Sequence, residues 1–205
     1  MPLVERSLRE LLAAFASSDP TPGGGSAAAA ASAIGASLLM MVAGLPKTRS
    51  GSDGERTALT SARIGLTRLQ AQLTDAVDAD TAAYDQVVAA YRQPKASALE
   101  QASRKAAIQR ALHAATDVPL NVMRLSAESL QHARAVAADA HRPAASDVGV
   151  GVALLMAGLQ GARLNVEANI SALSEAAYKD AVAAEVDRLM RVGEESAEAA
   201  RSALG

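Results

Sequence analysis

The sequence predicts an all-α protein, an up-and-down antiparallel bundle of about seven helices. Three features of its 205 residues indicate this class. Aromatic side chains make up only 2% of the chain, so the core must be built from Ala, Leu, Val, Ile and Met. Apolar residues recur at helical spacings, and short breakers separate the periodic segments. We expect a single domain over residues 1–205, because this length supports one sizeable core.

A glycine-rich turn divides the first two predicted helices. The first, over residues 4–17, carries Leu and Phe side chains on one stripe with charges opposite. The breaker DPTPGGG at 19–25 ends it. The second helix is expected over 26–45 and has no charged residue.

Ser-x-x-Glu capping boxes open the next two helices. The box at 52–55 starts a long third helix, which is predicted over 53–91 and is ended by Pro94. The box at 97–100 starts a fourth helix that is expected to reach Ala115.

Proline marks the start of the predicted fifth helix. Asp117 can cap this helix, with Pro119 in its first turn, where the missing N–H is not needed. The helix should run to about Ala140. The last two helices are expected over 146–173 and 174–205.

Two of these helices are apolar on all sides. Residues 23–45 and 148–162 carry no charge, and the first segment reaches the roughly 20 residues that a membrane span needs. Its Ala, Ser and Gly residues insert poorly compared with Leu, Ile or Phe, and it lacks flanking Trp or Tyr anchors. We therefore expect two central helices that are buried on every side, and no membrane partner.

Composition argues against several function classes. The formal net charge is −2, from 20 basic and 22 acidic residues, whereas nucleic-acid binding needs a basic surface. The chain has no Cys, which excludes disulfides and thiol chemistry. Its three His residues are not spaced as a ligand pair, so we expect no metal site. The N-terminus lacks the pattern of a signal peptide, and we expect a cytoplasmic protein.

The stretch from Pro22 to Ser26 is the first candidate site. Three consecutive glycines let a ligand approach the backbone, and free N–H groups at a helix N-terminus form an anion site. A tight turn capped by Ser26 explains the same residues equally well.

Carboxylates within the third helix are the second candidate. Asp75, Asp78 and Asp80 lie far from either helix end, and Asp80 shares a face with Tyr84. An Asp on the apolar face would have a raised pKa suited to proton transfer. The alternative is a solvated polar face without a chemical role.

Two polar pairs complete the candidates. Ser146 and Asp147 open an apolar helix and have the pattern of an ordinary N-cap. Asn165 and Asn169 stand four apart on a largely apolar helix, so their amides must find partners in neighbouring helices or in a ligand.

Five segments form a set whose order and spacing are specific. They are PTPGGGSAAAAASAIGASLLMMVAGL, DADTAAYDQVVAAYRQPK, AAIQRALHAATDVPL, SDVGVGVALL and GARLNVEANISAL, and they cover about Leu11 to Leu173. The set resembles the formiminotetrahydrofolate cyclodeaminase/methenyltetrahydrofolate cyclohydrolase family.

The resemblance implies a dimeric all-α fold and a folate substrate bound near the glycine-rich turn. It implies that Asp80 is the catalytic carboxylate. From their charge, Lys47, Arg49, Arg92 and Lys95 are candidates to attract an anionic polyglutamate tail. Plain surface solvation is the alternative, and we favour it for Arg92. The expected substrate-binding residues are Gly23, Gly24, Gly25, Ser26, Lys47, Tyr84, Lys95, Asp147 and Asn165.

The resemblance leaves two reactions open, and of these we expect the 5,10-methenyltetrahydrofolate cyclohydrolase. In that reaction water adds to the carbon between N5 and N10; in the cyclodeaminase, N10 attacks a formimino carbon and ammonia leaves. Either reaction needs one group that moves protons, and we expect no cofactor beyond the tetrahydrofolate substrate. A non-catalytic dimeric bundle is the third alternative, because residues 44–49 depart from the family's Asn-Leu-Thr run.

Overall fold

The computed structural model describes residues 1–205 as a bundle of six α-helices without a β-strand, which confirms the predicted all-α class. Short 3-10 turns at Leu3–Glu5 and Arg142–Ala144 precede the first and fifth helices. The α-helices are α1 Leu8–Phe15, α2 Gly24–Ala43, α3 Asp53–Tyr91, α4 Ala98–Asp139, α5 Ala145–Ser171 and α6 Ala176–Leu204.

The count of about seven helices is one too high, because the predicted fourth and fifth helices are continuous. Pro119 lies inside α4 instead of in a first turn. A proline removes the backbone N–H that the carbonyl four residues earlier, at Ala115, would accept. The Asn169 side-chain amide of α5 donates to that carbonyl at 2.7 Å instead. The carbonyl is therefore satisfied from a neighbouring helix, and α4 continues through the proline.

Both predicted capping boxes are present at the starts of α3 and α4. Glu55 has a second role, because its carboxylate also accepts from Thr48, Ser50 and Gly51 in the preceding loop. The hydrogen bond from the Thr48 hydroxyl, followed by that from the Ser50 backbone, lowers the pKa of Glu55 to about 2. The loop that departs from the family pattern is thus held at the start of α3.

Small side chains allow α2 to pack closely at the centre of the bundle. Its main partners are α3 and α5. A Cβ atom added at Gly35 would lie 2.7 Å from the backbone oxygen of Gly151, so the two helices approach nearly to backbone contact. Around them, α4 packs against α3, α5 and α6 and completes one aliphatic core.

Each of the two apolar helices keeps one uncovered side. The segments Gly24–Ala43 and Arg142–Ser171 are long and apolar enough to cross a membrane, with mean hydropathies of 1.8 and 1.3. Both pack in the bundle, but Ile34 and Met41 of α2 and Val150 and Leu164 of α5 are exposed. The expectation that these helices are buried on every side is therefore wrong. The core covers one part of α2 and of α5, and an apolar stripe on each helix remains exposed.

Candidate active site

A cavity of about 330 Å³ opens where the start of α2 meets the last third of α3, the middle of α4 and the second half of α5. Its walls combine backbone at the glycine-rich turn, one carboxylate, one phenol and two amides. The lining residues are Pro20, Thr21, Gly23, Gly24, Asp80, Tyr84, Val87, Ala115, Asn165 and Asn169.

The Asp80 carboxylate is held against the first turn of α2. Its Oδ2 accepts from the backbone N–H of Ser26 at 2.9 Å, and the Ser26 hydroxyl lies 3.1 Å from the same oxygen. That hydroxyl donates to the Val77 carbonyl at 2.8 Å, one turn before Asp80. Ser26 is fully buried, and its backbone N–H and hydroxyl hold the Asp80 carboxylate in place.

Gly25 provides the space for this contact. A Cβ atom at position 25 would overlap the Asp80 carboxylate, at 2.5 Å from the carboxyl carbon. The backbone of Gly25 is helical and any residue could adopt it. Glycine is needed here because it lets the Asp80 side chain approach closely. Gly24 differs, because a Cβ atom there would meet only the Asn165 amide at 3.4 Å.

The surroundings of Asp80 raise its pKa above the usual range of an aspartate. Burial is the main cause, because a low-polarity environment disfavours the charged form. The hydrogen bonds from Ser26 act in the opposite direction and are weaker. Oδ1 accepts no hydrogen bond from the protein, so it can exchange a proton with a molecule in the cavity.

The predicted anion site at the glycine-rich turn is already occupied by the protein's own carboxylate. The Ser26 N–H was expected to bind a substrate anion, and it donates to the Asp80 carboxylate. Gly25 and Ser26 are not among the residues that line the cavity, and both position Asp80. Gly23 and Gly24 do line it.

Two amide side chains, Asn165 and Asn169, line the cavity. Asn165 donates its side-chain N–H to the Gly161 carbonyl at 2.9 Å, and Asn169 donates to Ala115 at 2.7 Å. Neither side-chain oxygen accepts a hydrogen bond from the protein. With Asp80, they make this wall rich in acceptors, which suits a ligand edge that carries N–H groups.

Three predicted substrate contacts lie elsewhere. Lys47 precedes α3, and Asp80 lies roughly 40 Å further along that helix at 1.5 Å per residue. Asp147 is at the start of α5, roughly 27 Å along the axis from Asn165. Lys95 lines a separate cleft after α3. The structure of one chain therefore does not bring Lys47, Lys95 or Asp147 into the cavity.

Other parts of the wall were not predicted. Pro20 and Thr21 belong to the breaker before the glycines, and only their position beside that motif could have indicated them. Ala115 was not expected in the wall, because a helix end was predicted at this position. Asn169 was a candidate because its amide needs a partner, but that partner, the Ala115 carbonyl, was not predictable.

The family model described as Formiminotransferase-cyclodeaminase matches residues 7–188. The chain belongs to this family. The match confirms the resemblance drawn from the five sequence segments.

Two relatives and one solved structure show how far the similarity extends. The methenyltetrahydrofolate cyclohydrolase of Methylorubrum extorquens is 37% identical over 184 residues, which cover 90% of this chain and 88% of that protein. The formimidoyltransferase-cyclodeaminase of Rattus norvegicus is 28% identical over 92% of this chain, which spans only 35% of that longer protein. The crystal structure of formiminotetrahydrofolate cyclodeaminase from Thermotoga maritima superposes with a TM-score of 0.87 at 25% identity, covering 98% of this chain and 97% of that one.

Replacing Gly25 with Ala should displace Asp80. The new methyl group overlaps the carboxylate and breaks its bonds to Ser26, so we expect the free energy of unfolding to fall by about 1–3 kcal/mol in urea denaturation. In an Asp80→Ala background the same change should be nearly neutral, because the overlap is gone. Gly24→Ala is the matched control and should have little effect. Equal losses for Gly25→Ala in both backgrounds would show that Asp80 is not the cause.

Asn169→Ala should destabilise the chain by about 1–3 kcal/mol, because the Ala115 carbonyl loses its donor. Adding Pro119→Ala supplies a backbone N–H to that carbonyl, so the loss should shrink in the double variant. Asn165→Ala, whose amide bonds to a different carbonyl, should not respond to Pro119→Ala. Thermal denaturation of the wild type, the two single variants and the double variant measures the coupling between positions 119 and 169. Additive losses of stability would refute the pairing of Asn169 with the Ala115 carbonyl.

Proposed function

We propose that this protein is a folate enzyme that hydrolyses the methenyl bridge between N5 and N10 of 5,10-methenyltetrahydrofolate. The observation that carries the proposal is Asp80, a half-buried carboxyl group with a raised pKa at the wall of a substrate-sized cavity. The similarity to the Methylorubrum extorquens cyclohydrolase supports this reaction, because it extends over nearly the whole of both chains.

Asp80 would act as a base and then as an acid. A water molecule attacks the methenyl carbon while Asp80 accepts one of its protons. Asp80 then returns that proton to N5 as the bond between N5 and the carbon breaks. The hydroxyl proton of the adduct is released as the carbonyl forms, which leaves a formyl group on N10. Water and the folate are the only reactants.

The second candidate is cyclodeamination of formiminotetrahydrofolate. It is favoured by the similarity to the Thermotoga maritima cyclodeaminase over the whole length of both chains. The Asp80 carboxyl group would transfer protons in this reaction too, because N10 must lose a proton and ammonia must gain one. The third alternative, a bundle without activity, is less favoured, since Asp80 faces a cavity beside the glycine-rich turn.

We also propose that the protein is a homodimer that pairs through the uncovered stripes of α2 and α5. Ile34 and Val150 lie on these stripes with 53% and 52% of their surface exposed. Two adjacent helices, each roughly 30 Å long and about 10 Å apart, present a face of roughly 600 Å² before surface relief is counted. That is close to the ~800 Å² per partner that a standard interface buries. The family resemblance also implies a dimer.

Asp80→Asn should abolish enzyme-dependent decay of methenyltetrahydrofolate absorbance, with a loss of roughly 10²- to 10⁴-fold after the spontaneous rate is subtracted. In the wild type, kcat/KM should fall as the pH is lowered through the pKa of Asp80. The base must be ionised to act, and this pKa is raised, so the fall should begin above the usual titration range of an aspartate.

Asp85→Asn, an exposed carboxylate on the same helix, is the control and should keep the wild-type rate. Ammonia release from formiminotetrahydrofolate without methenyl hydrolysis would identify the cyclodeaminase instead. Inactivity on both substrates would reject an enzyme of this class.

Ile34→Glu should convert the dimer into a monomer in sedimentation equilibrium at micromolar concentration, because it places a charge within the apolar face. Leu99→Glu is the control, since Leu99 is 81% exposed at the start of α4, away from that face. A monomeric wild type, or equal effects of both substitutions, would contradict pairing through α2 and α5. Recovery of the wild type with membranes would favour a lipid-facing role for the same stripes.

A further inference from the structure

Pro119 is a buried proline near the midpoint of α4, a helix of 42 residues. A proline in a helix interior removes one backbone N–H, and its ring crowds the carbonyl four residues earlier. That carbonyl belongs to Ala115. Proline is the least favourable residue for a helix interior, so α4 by itself gives no reason for its presence.

The carbonyl that Pro119 leaves without its helical donor belongs to a residue of the Asp80 cavity. Ala115 and Asn169 both line this cavity, whereas Pro119 is not among its lining residues. The Asn169 amide donates one N–H to the Ala115 carbonyl at 2.7 Å. The side-chain oxygen of Asn169 accepts no hydrogen bond from the protein, so it is free to accept one from a ligand.

The bond to Ala115 also decides where the Asn169 amide lies. An asparagine side chain has two rotatable bonds, and a contact with a fixed carbonyl on a neighbouring helix limits both. A backbone N–H at position 119 would give the Ala115 carbonyl its ordinary partner within α4. The Asn169 amide would then lose the advantage of this anchor. Pro119 therefore acts on the cavity through Asn169, without touching a ligand itself.

We propose that Pro119 is a positioning residue for substrate binding, which anchors Asn169 as an acceptor for the N–H groups of the reduced pterin ring. The inference rests on the proposed function, which brings the methenyl carbon to Asp80. N5 belongs both to the methenyl bridge and to the ring, so the ring lies beside Asp80 in the cavity that Asn169 lines. N5 and N10 carry no hydrogen in the methenyl form, and the ring keeps N–H donors at N3, N8 and the amino group.

The test uses Pro119→Ala and Pro119→Val, which both restore the backbone N–H, while valine nearly keeps the side-chain volume. Both should raise the KM for methenyltetrahydrofolate by roughly three- to tenfold, in keeping with the loss of one uncharged hydrogen bond. We expect little change in kcat, because the ring contact is the same in the bound substrate and in the transition state. In an Asn169→Ala background the two changes should leave KM unaltered, because the amide that they release is absent.

Two controls separate the backbone N–H from general effects on packing. Val122→Ala removes volume from a buried position of α4 about one turn later and adds no N–H, so it should leave KM unchanged. Asn165→Ala removes an amide that bonds to the Gly161 carbonyl, and its effect on KM should be the same with and without Pro119→Val. An unchanged KM in both proline variants, an equal change in Val122→Ala, or an undiminished proline effect in the Asn169→Ala background would overturn the proposal.

Binding of tetrahydrofolate, measured by calorimetry, separates this inference from the proposed reaction, because the ligand carries the ring and has no bridge to hydrolyse. If neither folate substrate is turned over, the proposed reaction fails, and the affinity for tetrahydrofolate decides the inference. Weaker binding in Pro119→Val that disappears in the Asn169→Ala background supports the positioning role. Unchanged binding in Pro119→Val, or no binding by the wild type, rejects it.

Discussion

Small residues at the packed positions of α2 allow its neighbours to pack against its backbone, and the site is a consequence of that packing. At one point the Asp80 carboxylate of α3 occupies the space above Gly25. Nearly three turns later the backbone of α5 reaches Gly35. A larger residue at either position would separate the helices, so the same requirement for small residues that forms the core also holds the carboxylate at the cavity wall.

The proton affinity of Asp80 is set by two opposing effects of this packing. Close approach of α2 removes water from the carboxyl group and favours its neutral form. The first turn of the same helix offers the Ser26 N–H and the positive end of the helix dipole, which favour the anion. Burial has the larger effect, and the pKa is raised. A carboxylate with a raised pKa is a stronger base and accepts a proton from water more readily than an ordinary carboxylate does.

The sequence predicted the parts of this structure that depend on local pattern and missed those that depend on distant partners. Helical spacing and capping boxes located most helix boundaries, and the position of Asp80 on the long helix was inferred correctly. The continuity of α4 through Pro119 could not be predicted, because its carbonyl partner, Asn169, lies on another helix. Motif residues such as Lys47 were grouped with Asp80, although the length of α3 separates them. The predicted bounds of that helix already imply the separation, at 1.5 Å per residue.

The charge at the cavity wall suits one part of the proposed substrate. A methenyl-bridged folate carries a positive charge on the bridge, and Asp80 is a carboxylate at the wall of the cavity. The chain has a net charge of only −2, so orientation of the bridge depends on this local group more than on the overall field. The bound cation would also favour ionised Asp80, the form that accepts a proton from water. Hydrolysis removes the positive charge from the bridge, so the product loses its attraction to Asp80, and release can begin where the chemistry has occurred.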